Sequence, residues 1–282
     1  MRFATLRPEG AFATVSAVHD GEQWRAMAAH DLSTWLASPH RDALTEHALA
    51  AGDVVVGTFA NPVPRPGKVI CCGLNYADHI RETGRDLPMH PTLFTKFADS
   101  LVGDGDDVVV RGSEFVDWEA ELVVVVGRTL TRASVDEARD AIAGYTAAND
   151  ISMRDWQRRT LQWFQGKAWD ASTPVGPILV TPDELDPAAG VEIRCFVNDE
   201  QVQGDNTSQL VFGAAELLAY VSSFTTLRAG DVVLTGTPGG VGMGMSPQRS
   251  LASGDEVRTE IDGIGVLRNR IVLDPRPPTE HP

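Results

Sequence analysis

Val116-Asp117-Trp118-Glu119-Ala120-Glu121-Leu122-Val123-Val124-Val125-Val126-Gly127 is the stretch that decides how this chain is read. The run Leu122 to Val126 is unbroken, mostly β-branched and ends at a glycine, the pattern of a strand buried on both faces. Along a strand, residues two apart share a face. Asp117, Glu119 and Glu121 therefore point one way, while Val116, Trp118, Ala120, Leu122 and Val124 point the other, into a core. Three carboxylates on one face repel one another and are costly to strip of water. A hard divalent cation relieves them, because carboxylate oxygens suit Mg, Ca or Mn. An acidic, solvated sheet edge or a set of arginine partners relieves them too. The strand alone leaves these readings open.

The surrounding chain narrows the choice. It has 282 residues, 43% hydrophobic and 22% charged, enough apolar material for a large core. Its 24 basic residues against 39 acidic ones give a formal charge of −15. Such a balance argues against nucleic acid and against an anionic membrane surface as partners. It also makes a basic residue inside an apolar segment informative. No stretch approaches the roughly 18 apolar residues of a membrane span, and Met1 to Pro8 lacks the apolar core of a signal peptide. Cys71, Cys72 and Cys195 have no metal-ligand spacing. They are expected to be buried thiols in a reducing cytoplasm, without a disulfide framework.

Residues 1–62 are expected to form a small N-terminal α/β domain. A strand is predicted over 12–18, a turn at His19-Asp20-Gly21, a short helix capped by Asp31 or Ser33, and a second helix over 41–51. His30, His40 and His47 are scattered and read as surface residues. Asn61-Pro62-Val63-Pro64-Arg65-Pro66-Gly67 is a stiff connector. From 66 to 274 the texture becomes short strands, at 68–72, 92–97, 107–110, 116–126, 145–149, 177–181, 191–197, 201–203, 231–235, 255–261 and 265–272. Hairpin turns fall at Asn198-Asp199-Glu200 and Asp262-Gly263. Ser134-Val135-Asp136-Glu137 is a capping box for a helix ending before Gly144, and 214–223 is a further helix. The fold class is α+β and β-rich, with a curled or barrel-like sheet. Residues 275–282 read as a flexible tail.

Three other stretches combine special backbone with ionisable groups. In Gly73-Leu74-Asn75-Tyr76-Ala77-Asp78-His79-Ile80-Arg81-Glu82, His79 and Glu82 are three apart and meet on one helical face. A carboxylate beside an imidazole raises its pKa and fixes its tautomer, as a general base requires; an exposed ion pair explains the spacing equally. The loop that follows, Arg85 to Pro91, is a candidate lid. Asp150, at a predicted strand end, is either a third carboxylate beside Glu119 and Glu121 or the N-cap of the helix behind it. Arg154 and Lys167 either reach solvent or anchor an anion. The loop Leu234 to Gly244 lacks the Gly-Lys-Ser/Thr of a nucleotide-binding loop. Its backbone at Gly236 and the Thr237 hydroxyl suit close approach to a small ligand instead.

Taken in order, these pieces resemble a known family. The series Gly-Leu-Asn-Tyr-Ala-Asp-His-x-x-Glu, Asp-Trp-Glu-x-Glu-Leu, Asn-Asp then Arg-Asp-x-Gln, Gly-Lys-x-x-Asp-x-x-x-Pro-x-Gly-Pro, and Gly-Asp-Val-Val-Leu-Thr-Gly-Thr-Pro-x-Gly-Val is similar to the fumarylacetoacetate hydrolase family, over about residues 66–273. The resemblance implies a mixed, rolled-up β-sandwich, as a homodimer, behind a small variable N-terminal domain. It implies Mg²⁺ or Mn²⁺ on Glu119, Glu121 and Asp150, with Asp117 as a supporting neighbour or the partner of an arginine. It implies a water-activating dyad of His79 and Glu82, and oxyanion stabilisation by Lys167 and Gln157. Arg154, Thr237, Gly236 and Tyr76 would bind a small anionic 2-oxo acid. The expected reaction is hydrolysis of a C–C bond in an acylpyruvate-like acid through a metal-stabilised enolate. The same machinery serves isomerisation or decarboxylation of 2-oxo dicarboxylic acids.

Overall fold

The computed structural model describes residues 1–77, 80 and 86–274. In chain order its strands are β1 (Arg2–Pro8), β2 (Val15–His19), β3 (Trp24–Ala26), β4 (Gly57–Phe59), β5 (Val69–Gly73), β6 (Thr92–Lys96), β7 (Leu101–Val102), β8 (Val108–Arg111) and β9 (Val116–Asp117). They continue with β10 (Ala120–Val126), β11 (Ile142–Asn149), β12 (Ser152–Met153), β13 (Thr173–Val180), β14 (Glu192–Val197), β15 (Glu200–Asn206), β16 (Val232–Leu234), β17 (Glu256–Ile261) and β18 (Gly265–Asp274). The α-helices are α1 (Leu32–Ala37), α2 (Arg41–Ala51), α3 (Val135–Arg139), α4 (Arg154–Gln157), α5 (Phe164–Lys167) and α6 (Ala214–Ser222).

Two sheets face each other. The larger has the order β3-β2-β1-β13-β11-β10-β16-β5-β6, with β4 on β1 and β7 on β13. The smaller has the order β15-β14-β17-β18-β8. Every residue of β10 is buried. Leu122, Val124 and Val126 join one apolar cluster and Val123 and Val125 join another, on the opposite face. The unbroken apolar run is therefore a strand covered on both sides. The smaller sheet follows the other rule. β17 alternates buried and partly exposed residues, because only one of its faces meets the core. Asn149 bridges the layers: its Nδ2 donates to Thr259 Oγ1 of β17 at 3.0 Å.

Several local readings hold in detail. Asp31 caps α1 by accepting from the Thr34 amide. Ser134 and Glu137 form the capping box of α3. Asn198 takes a positive φ in the turn between β14 and β15, and Gly263 does so between β17 and β18. His30, His40 and His47 are exposed, and the three cysteines are free and buried. Other readings change. The stretch 116–126 is not one strand but two, β9 and β10, broken at Trp118-Glu119. α3 does end before Gly144, at Arg139, with Ile142 already paired with Val126. β15 extends to Asn206, through Gly204-Asp205-Asn206, residues whose propensity disfavours strands.

β1 was not expected at all. Its Phe3, Ala4 and Leu6 are buried, and it pairs with β2, β4 and β13. The larger sheet thus runs without interruption across the connector at 62–66. No helix among the described residues is long and apolar enough to cross a membrane.

Candidate active site

The site lies at one end of the larger sheet, where the register brings four strand ends together. β10 runs antiparallel to β11, with Ala120 opposite Asn149. The next residue of each chain is then Glu119 facing Asp150, and the Asp150 amide donates to the Glu119 carbonyl at 2.8 Å. β10 also runs antiparallel to β16, with Val123 opposite Leu234. Extending that register sets Gly236 beside Glu121, and the Gly236 amide donates to Glu121 Oε2 at 2.6 Å. β5 ends alongside β16 and contributes Cys72 and Gly73.

Glu119, Glu121 and Asp150 offer oxygens all within 4.8 Å of one another, and all three residues are buried. The break at Trp118-Glu119 divides the acidic face. Asp117, on the far side, turns away. Its Oδ2 accepts from Arg154 Nε at 2.8 Å and from the Met243 amide at 3.0 Å, and its Oδ1 accepts from the Gly242 amide at 2.7 Å. A Cβ on Gly242 would lie 2.9 Å from Asp117 Oδ1, so a glycine allows that approach.

Among the described residues, the buried cations of the site are all engaged with carboxylates. Arg154, 2% exposed, also reaches Glu119 Oε1 at 2.6 Å and donates to Gln157 Oε1 at 2.9 Å. Lys167, 1% exposed, donates to Glu119 Oε2 at 2.6 Å and to Asp150 Oδ2 at 2.8 Å. It does not reach solvent. Behind it Lys96, also buried, pairs with Asp150 Oδ1 at 2.5 Å and donates to Thr173 Oγ1 and to the Lys167 carbonyl. Lys96 was not singled out in the sequence, although a lysine closing an apolar strand of an acidic protein was the available signal. Asp150 is not a helix cap; α4 begins after Met153, with no side-chain cap.

These contacts set the proton affinities. Burial, with Asp150 and Glu119 nearby, pushes the Glu121 carboxyl well above the usual range. Burial acts the same way on Asp150, but Lys167 and Lys96 outweigh it and hold that carboxyl low. Burial opposes the charge on Lys167, yet Asp150 and Glu119 keep its ammonium above the ordinary lysine value. If Glu121 is ionised, Asp117, Glu119, Glu121 and Asp150 carry four negative charges against three positive ones on Lys96, Arg154 and Lys167, and the one left over is the charge that burial drives Glu121 to give up by taking a proton or a cation. Among the described residues Glu121 is the one carboxylate of the four that makes no ion pair. An all-oxygen, net-negative cluster with that remainder fits a hard divalent cation. A carboxylate oxygen already held by a lysine still has a lone pair to offer.

Above the cluster opens a cavity of about 430 Å³. Glu119, Glu121 and Lys167 form its floor, Thr237 and Gln157 stand at the sides, and Arg158 and Leu161 reach the rim. Thr237 is oriented by Gln203, whose Nε2 donates to Thr237 Oγ1 at 2.9 Å. Of the other expected substrate contacts, Gly236 meets Glu121 rather than the cavity. Tyr76 sits in the apolar core, fully buried, its hydroxyl without a hydrogen-bond partner among the described residues. Arg154 lines the cavity, but its guanidinium is committed to Asp117 and Glu119. His79 and Glu82 lie outside the described residues, as do Arg81 and Arg85.

A two-layer β-rich roll with buried carboxylates at one sheet end defines a class of small-molecule enzyme. The chain belongs to the fumarylacetoacetate hydrolase family: the profile described as fumarylacetoacetate (FAA) hydrolase C-terminal matches residues 68–272. It is 47% identical over 218 residues to the human oxaloacetate tautomerase FAHD2A, mitochondrial, covering 76% of this chain and 69% of that one. It is 38% identical over 264 residues to the oxaloacetate tautomerase YisK of Bacillus subtilis (strain 168), covering 91% and 85%. Among solved structures, a fumarylacetoacetate hydrolase from Exiguobacterium antarcticum superposes with a TM-score of 0.85 at 31% identity, over 97% of this chain and 100% of that one. A 5-carboxymethyl-2-hydroxymuconate delta-isomerase from Mycobacterium smegmatis superposes at 0.77 with 30% identity and the same coverage.

Proposed function

We propose that this enzyme interconverts the keto and enol forms of a small 2-oxo dicarboxylic acid of the oxaloacetate type. The observation that carries the reading is the buried cluster Glu119, Glu121 and Asp150 on the cavity floor, with the Lys167 ammonium held against it. Similarity to two oxaloacetate tautomerases, one over 91% of the chain, supports the choice of reaction.

Glu119, Glu121 and Asp150 would hold Mg²⁺ or Mn²⁺, which when bound supplies Lewis-acid polarisation of a carbonyl oxygen. Lys167 Nζ, kept protonated by Asp150 and Glu119, donates to the substrate's 2-oxo oxygen as negative charge builds there. The Gln157 amide, whose Oε1 is fixed by Arg154, offers its NH₂ group to the same end of the substrate. The Thr237 hydroxyl binds a carboxylate oxygen. His79, with Glu82 three residues on as its expected partner, would take the proton from the carbon beside the 2-oxo group and return it in the reverse direction. Trp163, packed on Gly73, adds an apolar ring to the cavity lining.

The second reading, hydrolysis of a C–C bond in an acylpyruvate, is favoured by the His79–Glu82 spacing, which suits activation of water. A panel of oxaloacetate and acylpyruvates, assayed with Mg²⁺, Mn²⁺ and EDTA, separates the two. Enol-to-ketone conversion of oxaloacetate above the buffer rate, lost in EDTA, is the expected result. Cleavage of acylpyruvates with no acceleration of tautomerisation would replace the first reading by the second.

A further inference from the structure

Among the described residues, the floor of the cavity has no cation left for a second anion. Arg154 is divided between Asp117 and Glu119, Lys167 between Glu119 and Asp150, and Lys96 is held behind Asp150. A 2-oxo acid carrying a second carboxylate must find its counter-charge elsewhere. Arg158 is exposed and lines the cavity. Its guanidinium makes no ion pair with any described residue, in a chain where acidic residues outnumber basic ones 39 to 24. Its neighbour Arg159 is occupied differently, stacked over the Trp156 ring at 3.4 Å.

The backbone holds Arg158 in place. It closes the short helix α4, and its amide donates to the Arg154 carbonyl at 3.2 Å. The helix that fixes Arg154 and Gln157 on the floor side therefore delivers Arg158 to the rim. Leu74, Val241 and Met243 add apolar side chains to the same cavity lining. Among the described residues the lining thus combines buried charges, apolar side chains and one unpaired, exposed guanidinium, which matches a carbon chain with an acid group at each end. An arginine presents paired N–H donors that grip a carboxylate in two places.

We propose that Arg158 is the specificity-determining residue that binds the distal carboxylate of a 2-oxo dicarboxylic acid. This rests on the reading of the site as one for 2-oxo acids. Arg158 touches the substrate end that does not react, so it governs affinity rather than the chemical step.

The test compares acids of equal length with and without the distal carboxylate: 2-oxoglutarate against 2-oxopentanoate, and 2-oxoadipate against 2-oxohexanoate. Binding to the full chain in Mg²⁺ is measured by calorimetry for wild type, Arg158→Gln and Arg158→Lys. Wild type is expected to prefer at least one diacid over its partner by roughly tenfold, the size of one charge-assisted contact. Arg158→Gln should erase the preference without weakening the monoacid, and Arg158→Lys should keep part of it. A wild type without preference, or an Arg158→Gln variant that retains it, overturns the assignment. If neither diacid nor monoacid binds, the 2-oxo acid reading itself falls. Because Arg158 is exposed, an unchanged melting temperature in Arg158→Gln shows that the variant is folded.

Discussion

The floor and the rim of the cavity obey opposite rules. On the floor Lys96, Arg154 and Lys167 are each at most 3% exposed, and each is locked to carboxylates. On the rim Arg158 and Leu161 stand in solvent, and Arg158 pairs with nothing described. Burying an ion costs several kcal/mol, and the cost is met only when each group keeps its whole set of partners. The floor is therefore a preorganised unit in which any single loss leaves a buried charge exposed to its neighbours. The rim forgoes that rigidity and keeps its charge available to whatever enters.

The comparison is broken hardest at Lys167. Lys167→Met leaves Glu119 and Asp150 facing each other across the buried floor. It should cost about 3–5 kcal/mol in denaturant unfolding, as breaking a buried pair does, and abolish turnover. A wild-type unfolding midpoint would mean that the floor is not one coupled network. Glu119→Gln removes a single charge and keeps the shape. Turnover should fall by roughly 10²–10³-fold, the scale for losing one preorganised electrostatic group, and Mg²⁺ should no longer stimulate it. Full Mg²⁺-dependent activity would take Glu119 out of the ligand set. Asp117→Asn is milder. It loosens Arg154 and the Gly242-Met243 amides behind the site, with an expected stability loss of about 1–3 kcal/mol, and should lower turnover less than Glu119→Gln does.

The same contrast explains what the sequence could reveal. The apolar run Leu122 to Val126 announced a doubly covered strand because burial on both faces needs no polar residue anywhere along it. The acidic triad was legible because Glu119 and Glu121 straddle Ala120 at strand spacing, and the family motif order supplied Asp150. The break at Trp118-Glu119 was not legible. It is made by contacts remote in sequence: Asn149 Oδ1 accepts the Glu119 amide, and Gln203 Oε1 accepts the Ala120 amide. Lys96 was hidden for a similar reason, since its partners Asp150, Thr173 and the Lys167 carbonyl lie more than 50 residues away. β1 escaped because its arginines mask a strand whose Phe3, Ala4 and Leu6 are inside. Charge alone left Arg154 either reaching solvent or anchoring an anion, and an arginine was one of the expected partners of Asp117; the fold shows Arg154 paired with Asp117 and Glu119.

The smallest expected effect, silent at neutral pH, concerns the thiol set between floor and rim. Cys72 lines the cavity, and burial, reinforced by the Glu121 charge, pushes its thiol up to about 12 from the ordinary 9.0. Cys195, in the layer between the sheets, is pushed by burial to about 12 as well. A thiol with a raised folded-state value stays protonated in the native protein while the unfolded chain loses its proton. The native state then binds more protons than the unfolded one between pH 9 and 12, so stability is full below pH 9 and declines as pH rises through that window. Urea midpoints measured from pH 8 to 10.5 should fall more steeply for wild type than for Cys72→Ala. Iodoacetamide at pH 8 should label native Cys72 slowly, despite its position on the cavity wall, because little thiolate is present. Rapid labelling confined to Cys72 would show that the cavity wall is wet and polar at that point, and would move Cys72 from the closed floor to the open rim.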